Sequence, residues 1–340
     1  MHKLLLQLFL VLLLPFTVPA YAAGGEMMQQ QDPGAELWNA VRGRGDTDTG
    51  TIRTQAKGMD SHVLVNRAGD NWRFFRMDVL IPMAMKVLGA IAIAILLFRL
   101  VRGKIPIKSG RTELRIKRFS GFQRFIHWLT AILFIGLAIT GLFLLFGRTA
   151  LIPYLGPELG GNIMGVLKRI HDFSSPAFAV SLLVLALTFL KGNFPHFRDI
   201  IWVLKGGGLL KWHAPAGRYN AGEKAWYWLA VVGGGFIIVS GAMMLFPNIL
   251  GESRNVITYY HWIHGIAAVV MIGGAMGHIY MGTIAMEGAY ECMSTGYADA
   301  NWAREHHDVW YEEMRDSGQI GILEDVDASQ DKAPSKQTTT

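Results

Sequence analysis

Residues 256–284 read VITYYHWIHGIAAVVMIGGAMGHIYMGTI, and this stretch decides how the rest of the sequence is understood. It contains no Asp, Glu, Lys or Arg, and it exceeds the roughly 20 residues that carry a helix across hydrocarbon. Yet it holds His261, His264 and His278. Ionisable groups at membrane depth are costly and usually functional. His264 and His278 are 14 residues apart. On a helix this is ~21 Å of rise and ~1400° of rotation, about 40° short of four full turns. Both imidazoles therefore leave nearly the same helix face, one above the other.

Working outward, the apolar pattern predicts four more spans. They are Val79–Val101 with Pro82 in its first turn, Phe125–Phe146, Pro176–Leu190 extended back toward Ile170, and Trp226–Phe246. The 340 residues are 51% hydrophobic and 17% charged, with mean hydropathy +0.28. A soluble domain carries roughly 25% charged residues, so lipid is part of the solvent. The reading is an all-α integral membrane protein, a four-helix bundle over 115–287 with one extra N-terminal transmembrane helix at 79–101.

The net charge is +6, and the basic residues flank the apolar runs, which excludes nucleic acid as the partner. Arg99 to Arg124 and Lys191 to Lys224 are densely basic, while the opposite connections hold only Arg148, Lys168, Arg169 and Arg254. The basic side is expected to face the cytoplasm. Residues 1–23 read as a secretory signal, with Leu4–Val18 as its apolar core and Ala20-Tyr21-Ala22-Ala23 as its cleavage region. The segment 24–78 is then expected to be periplasmic, with a small hairpin turning at Asn66-Arg67-Ala68-Gly69-Asp70. Residues 288–340 form a cytoplasmic C-terminal segment, with a surface helix over Asn301–Met314 and a disordered tail after Ser317.

Topology sorts four span histidines by depth. His127 and His278 lie toward the cytoplasmic end, and His171 and His264 toward the outer end. A last helix that presents two imidazoles in register can offer one axial ligand to each of two stacked haems, with spans two and three supplying the opposite ligands. No carboxylate or Cys cluster joins these histidines, as zinc or di-iron sites require. The single cysteine, Cys292, excludes an intrachain disulfide, a Cys-ligated cluster and CxxCH attachment. It reads as an inert thiol. Gly136, Gly141, Gly233-Gly234-Gly235, Gly241, Gly273, Gly274 and Gly277 either make room for porphyrin or pack helices. His261 is read as interfacial, and His62, His196, His213, His306 and His307 as solvated or interfacial.

These residues carry a resemblance to a known family. Arg124-Phe125-Ile126-His127-Trp128, Lys168-Arg169-Ile170-His171, Lys205-Gly206-Gly207, Gly217-Arg218-Tyr219-Asn220-Ala221-Gly222-Glu223-Lys224, the His264–His278 spacing and Arg304-Glu305-His306-His307 before Trp310-Tyr311 resemble the cytochrome b (gamma) subunit of membrane-bound formate dehydrogenases. The likeness runs from about Arg115 to Tyr311. It implies an electron-transfer subunit, non-catalytic for formate itself, in a bacterial inner membrane. It implies two b haems, one ligated by His171 and His264 and one by His127 and His278. It implies a quinone, menaquinone or ubiquinone, near Asn220, Gly222, Glu223 and His278. The family motif often has Gln where Glu223 stands. Implied partners are an iron–sulfur beta subunit and a molybdenum or tungsten alpha subunit. Open alternatives are the cytochrome b of a membrane hydrogenase or thiosulfate-type reductase, a stand-alone dihaem quinone oxidoreductase, and a cofactor-free anchor whose histidines only hydrogen-bond.

Overall fold

A computed structural model describes residues 67–207, 214–247, 254–323 and 326. The signal expected at 1–23, His62, His213 and most of the 24–78 segment lie outside the described residues. Five helices are long and apolar enough to cross a membrane, and the chain is a multi-pass all-α membrane protein. Ile132, Val180, Leu187, Phe236 and Val239 stand exposed on these helices. That outward apolar surface suits hydrocarbon rather than water.

The chain enters through α1 (Arg67–Phe74), where the sequence pattern predicts a hairpin turn. Asn66-Arg67-Ala68-Gly69-Asp70 looks like a turn locally, but tertiary packing decides otherwise. Trp72 lies 4.8 Å from the His261 ring, and Phe75 stacks 4.8 Å from Trp262. A helix places residues three apart on one side, so both rings meet the same neighbour. A wide π-helical turn, Phe75–Leu80, leads into α2 (Ile81–Arg102) with Pro82 in its first turn. The span thus runs from Ala68 to Arg102, opening well before Val79.

After the short strand β1 (Arg115–Lys117), α3 (Gly121–Ala150) starts at a capping box. Gln123 N–H donates to Ser120 Oγ at 3.2 Å, and Ser120 N–H donates to Gln123 Oε1 at 3.0 Å. Such reciprocal capping satisfies two backbone donors that a helix start leaves open. α4 (Ile152–Phe189) is far longer than its apolar centre suggests, with a break at Gly156 (φ 77°) near its start. The short α5 (Phe197–Leu204) precedes α6 (Ala221–Leu245). α7 (Arg254–Tyr280) continues into a second π-helical turn, Met281–Ala285. α3 packs on α4, α6 packs on α7, α4 meets α6, and α2 lies along α7.

One end of the bundle carries a folded cap. β1 pairs antiparallel with β2 (Tyr297–Asp299), Ile116 opposite Ala298. Around this ladder sit α8 (Ala289–Ser294), α9 (Ala300–His306) and α10 (Asp308–Asp316). Trp302, Cys292 and Trp310 are buried in a core shared with Ile116, Phe119 and Tyr219. The expected surface helix over 301–314 is therefore two helices with buried faces. Order also extends past Ser317, because Gly321 forms a bridge with Arg115.

Asp299 ties the cap together. Its Oδ1 accepts from the N–H groups of Asn301 (2.9 Å) and Trp302 (3.3 Å), and its Oδ2 from Thr112 N–H (3.0 Å) and Arg115 Nη1 (3.1 Å). Removing a helix cap costs about 1 kcal/mol, and stranding buried donors costs about 1–3 kcal/mol more. Asp299→Ala should therefore destabilise the cap by about 2–4 kcal/mol, read as a lower melting midpoint in detergent. An unchanged midpoint would remove Asp299 from this role.

Candidate functional site

The histidines meet in the two pairs that depth alone suggests. At the capped end, the rings of His127 on α3 and His278 on α7 lie 6.2 Å apart. At the distal end, His171 on α4 and His264 on α7 lie 6.3 Å apart. Two imidazoles bound to opposite sides of one metal, with metal–nitrogen bonds of ~2 Å, have ring centres ~6 Å apart. Both separations fit that arrangement. Gly141, level with His171, is 14 residues beyond His127, so the pairs are ~21 Å apart along α3. The same spacing separates His264 from His278 on α7.

The distal imidazoles are held by matching devices. Thr140 Oγ1 donates to Gly136 O (2.8 Å), and its oxygen meets His171 Nδ1 at 2.9 Å. Ser240 Oγ donates to Phe236 O (2.5 Å), and its oxygen meets His264 Nδ1 at 3.1 Å. Ile237 O, which only accepts, is also 3.1 Å from His264 Nδ1. With each hydroxyl proton committed to its own helix, the Nδ1 atoms must carry the ring hydrogens. Each Nε2 keeps its lone pair, the form a metal needs. The glycine after each hydroxyl gives the ring room. A Cβ on Gly141 would lie 3.4 Å from His171 Cε1, and one on Gly241 3.2 Å from His264 Cε1. Sequence reading finds the two glycines but misses Thr140 and Ser240; the signal available was a hydroxyl residue before glycine on two separate spans.

The capped-end pair is held by ring packing. Trp226 stacks flat on His278 at 4.9 Å, and Trp128 stands edge-on to His127 at 5.2 Å. Among the described residues, His127 Nδ1 is buried without a hydrogen-bond partner. The other glycines divide. Gly233, Gly273 and Gly274 receive Met271, Ile91 and the Leu229–Trp226 pair, as helix-packing glycines do, whereas Gly136, Gly235 and Gly277 face open space. His261 bonds Ile257 O of its own helix (2.9 Å), and His196 is exposed.

Asn220 and Glu223 form the capping box that opens α6. Glu223 N–H donates to Asn220 Oδ1 at 2.9 Å, and Asn220 N–H donates to Glu223 Oε2 at 3.0 Å. Gly222 lies under the Trp202 indole. Trp226, one turn further along, is the residue that stacks on His278, so this helix start sits beside the capped-end pair. The Glu223 carboxylate is 36% exposed and ion-pairs with the buried Arg118 at 3.0 Å. Lys224 pairs instead with Asp199 at 2.8 Å.

His307 corrects the sequence reading. It is 1% exposed rather than solvated. Its Nδ1 donates to Gly217 O (2.8 Å), and its Nε2 lies 3.5 Å from Arg118 Nη2 and 3.8 Å from Glu223 Oε2. His306 is half-buried beside Trp302. Arg118 also lies over the rings of Trp302 (4.9 Å) and Phe119 (5.2 Å). Burial works against its charge, but the Glu223 carboxylate prevails and holds the guanidinium above its ordinary range. For His307, burial first and Arg118 second push the imidazole down to about 4, so it is neutral at pH 7.

The family model for prokaryotic cytochrome b561 matches residues 118–295. The formate dehydrogenase, nitrate-inducible, cytochrome b556(Fdn) subunit of Escherichia coli (strain K12) is 28% identical over 204 residues, 58% of this chain and 91% of that protein. The formate dehydrogenase cytochrome b556(fdo) subunit of the same organism is 29% identical over 205 residues, 59% of this chain and 93% of that protein. The formate dehydrogenase cytochrome b556 subunit of Haemophilus influenzae is 29% identical over 212 residues, 59% of this chain and 84% of that protein.

The buried neutral His307 sets a pH dependence. Its folded pKa of about 4 lies below the 6.5 of a free imidazole, so between those values the unfolded chain takes up a proton that the fold refuses. Stability is fully present above pH 6.5 and is lost as pH falls toward 4, by up to about tenfold in the folded-to-unfolded ratio per unit. Melting midpoints in detergent at pH 7 and pH 5 should differ in the native chain and differ less in His307→Gln. Equal pH slopes in the two proteins would exclude His307 as the source.

Proposed function

The chain belongs to the prokaryotic cytochrome b561 family, and from that premise we propose that it is the membrane electron-transfer subunit of a formate dehydrogenase complex. The observation that carries this reading is the pair of facing imidazole couples, 6.2 and 6.3 Å across and ~21 Å apart in depth. The names of its relatives point to formate dehydrogenase. A b haem bound at each pair would supply reversible one-electron transfer. His127 and His278 would hold one and His171 and His264 the other. Each couple offers two ligands, and among the described residues no cluster of three or more His, Cys, Asp or Glu side chains is placed to hold an ion. That donor set suits an iron whose remaining ligands come from a porphyrin.

The chain accepts electrons at its distal end from an iron–sulfur subunit, which is fed by a molybdenum or tungsten subunit that oxidises formate. The capped, basic end faces the cytoplasm of a bacterial inner membrane, and the N-terminal side faces the periplasm. Carrying electrons inward against the resting potential stores about 2.3 kcal/mol per charge per 100 mV. A quinone binds beside the capped-end pair, near Asn220, Gly222, Glu223 and His278. Arg118 and the Asn220 N–H hold the Glu223 carboxylate in place, and this carboxylate relays protons taken up from the cytoplasm to the reduced quinone.

His264→Ala should remove one of two haems, measured as the haem-to-protein ratio, and stop quinone reduction by the complex. Both haems retained would refute the ligand assignment. Glu223→Gln keeps a capping side chain and both haems, but should slow quinone reduction at least about tenfold, since a positioned proton donor is worth about 10²–10⁴-fold. Unchanged quinone kinetics would rule out proton relay by Glu223. The complex itself is tested by affinity isolation of the tagged chain from membranes. Iron–sulfur and molybdenum or tungsten subunits should come with it, and their consistent absence would leave a stand-alone cytochrome.

A further inference from the structure

We infer that Arg76, carried by the N-terminal extension, tunes the distal histidine pair electrostatically and raises the reduction potential of the metal group held there. The inference rests on the reading of His171 and His264 as ligands. Arg76 sits in the π-helical turn between α1 and α2, outside the 118–295 stretch that the family model covers. Its Nη2 reaches across to α3 and donates to Leu144 O (2.6 Å) and Leu145 O (3.0 Å). Both acceptors are uncharged. Among the described residues, its positive charge has no carboxylate partner, and it is half-buried within a membrane-spanning helix. Charges in such places are costly and usually have a task.

The task is suggested by what lies one turn away. Leu144 and Leu145 are four residues beyond Thr140 and Gly141, the two residues that touch His171. Four residues are ~6 Å of rise on nearly the same helix face. The carbonyls that anchor the guanidinium thus lie about one helical turn beyond the residues that touch His171. The same extension closes the α7 side of that pair. Leu80 is fully buried and fills the space over Gly265, the residue after His264, while Trp72 and Phe75 cover His261 and Trp262. Apolar surroundings keep a charge from being screened as it would be on an open surface. A nearby fixed cation stabilises the reduced state, which carries one more electron, over the oxidised one. The capped-end pair, ~21 Å away in depth, lies beyond its strong influence.

The test is a potentiometric titration of the full chain, followed by haem absorbance, on the native protein and on Arg76→Met, Arg76→Gln and Arg76→Lys. The distal signal is the one that His264→Ala removes. Arg76→Met and Arg76→Gln should move the distal midpoint to more negative potential and leave the other midpoint in place. Arg76→Lys, which keeps the charge but not the forked guanidinium, should restore most of the native value. Gln still donates to a carbonyl, so it probes the charge even where Met disturbs packing. Arg148→Gln, at an exposed cation nearby, should have a smaller effect. The inference fails if the distal midpoint ignores the loss of charge, if both midpoints move together, or if Lys behaves like Met. The absence of any signal that His264→Ala removes would sink the ligand reading instead, and this inference with it.

Discussion

The structure depends on a distance between facing imidazoles that the helices must hold. Two imidazoles whose ring centres lie more than 6 Å apart can neither stack closely nor hydrogen-bond to each other, so nothing in the pair itself fixes the distance. The helices do that work. α3 packs on α4 and α6 on α7, which makes two hairpins, and the histidines of each pair come from opposite hairpins. α4 joins the hairpins along one edge, and Leu182 lies against Gly234 there.

The cap closes the same bundle at one end and ties its loops together. The segment before α3, the segment before α6 and the C-terminal helices converge on Arg118. Its guanidinium is shared by the carbonyl of Arg218 (2.8 Å), the Glu223 carboxylate and the His307 ring. Arg218 returns a hydrogen bond to the carbonyl of Arg118. A buried arginine with one carboxylate partner is destabilising unless its other donors find acceptors, and this reciprocal contact provides one. The consequence reaches the start of α6. Glu223 is at once the third residue of the capping box and the partner of Arg118, so the position of the first turn of α6 is set by the cap rather than by the membrane.

What could be read from the sequence is what a single element determines. The spans follow from apolar length, and the two imidazoles of α7 follow from a 14-residue interval on one helix. Their partners follow from depth, because helix direction alternates from span to span. The features that escaped depend on meetings between distant segments. Asn66-Arg67-Ala68-Gly69-Asp70 has turn chemistry, yet Trp72 and Phe75 find partners on α7, and burial of two aromatic rings outweighs a local preference of a few tenths of a kcal/mol per residue. His306-His307 follows a polar helix and looks solvated. Nothing within that segment reveals that Gly217, about 90 residues earlier, offers the carbonyl that fixes His307. Thr140 and Ser240 were visible as residues but not as partners, because a hydroxyl on a membrane helix usually bonds its own backbone. Here it does so and still has a lone pair to offer.

That last detail separates the two pairs chemically. At the distal end, each Nδ1–H is given to a hydroxyl oxygen, and for His264 to the carbonyl of Ile237 as well. An imidazole that donates in this way becomes a more basic ligand at its other nitrogen and favours a more highly charged metal. At the capped end, His127 Nδ1 has no hydrogen-bond partner among the described residues and the rings are placed by Trp128 and Trp226, so that enrichment is missing at His127. Left alone, the difference would favour electrons at the capped end. The proposed influence of Arg76 would pull the other way, since a cation favours the state with the extra electron. With a haem at each pair, as proposed, the polar contacts that orient the distal rings and the charge brought in by the N-terminal extension would act in opposite directions on the step in potential between the two pairs.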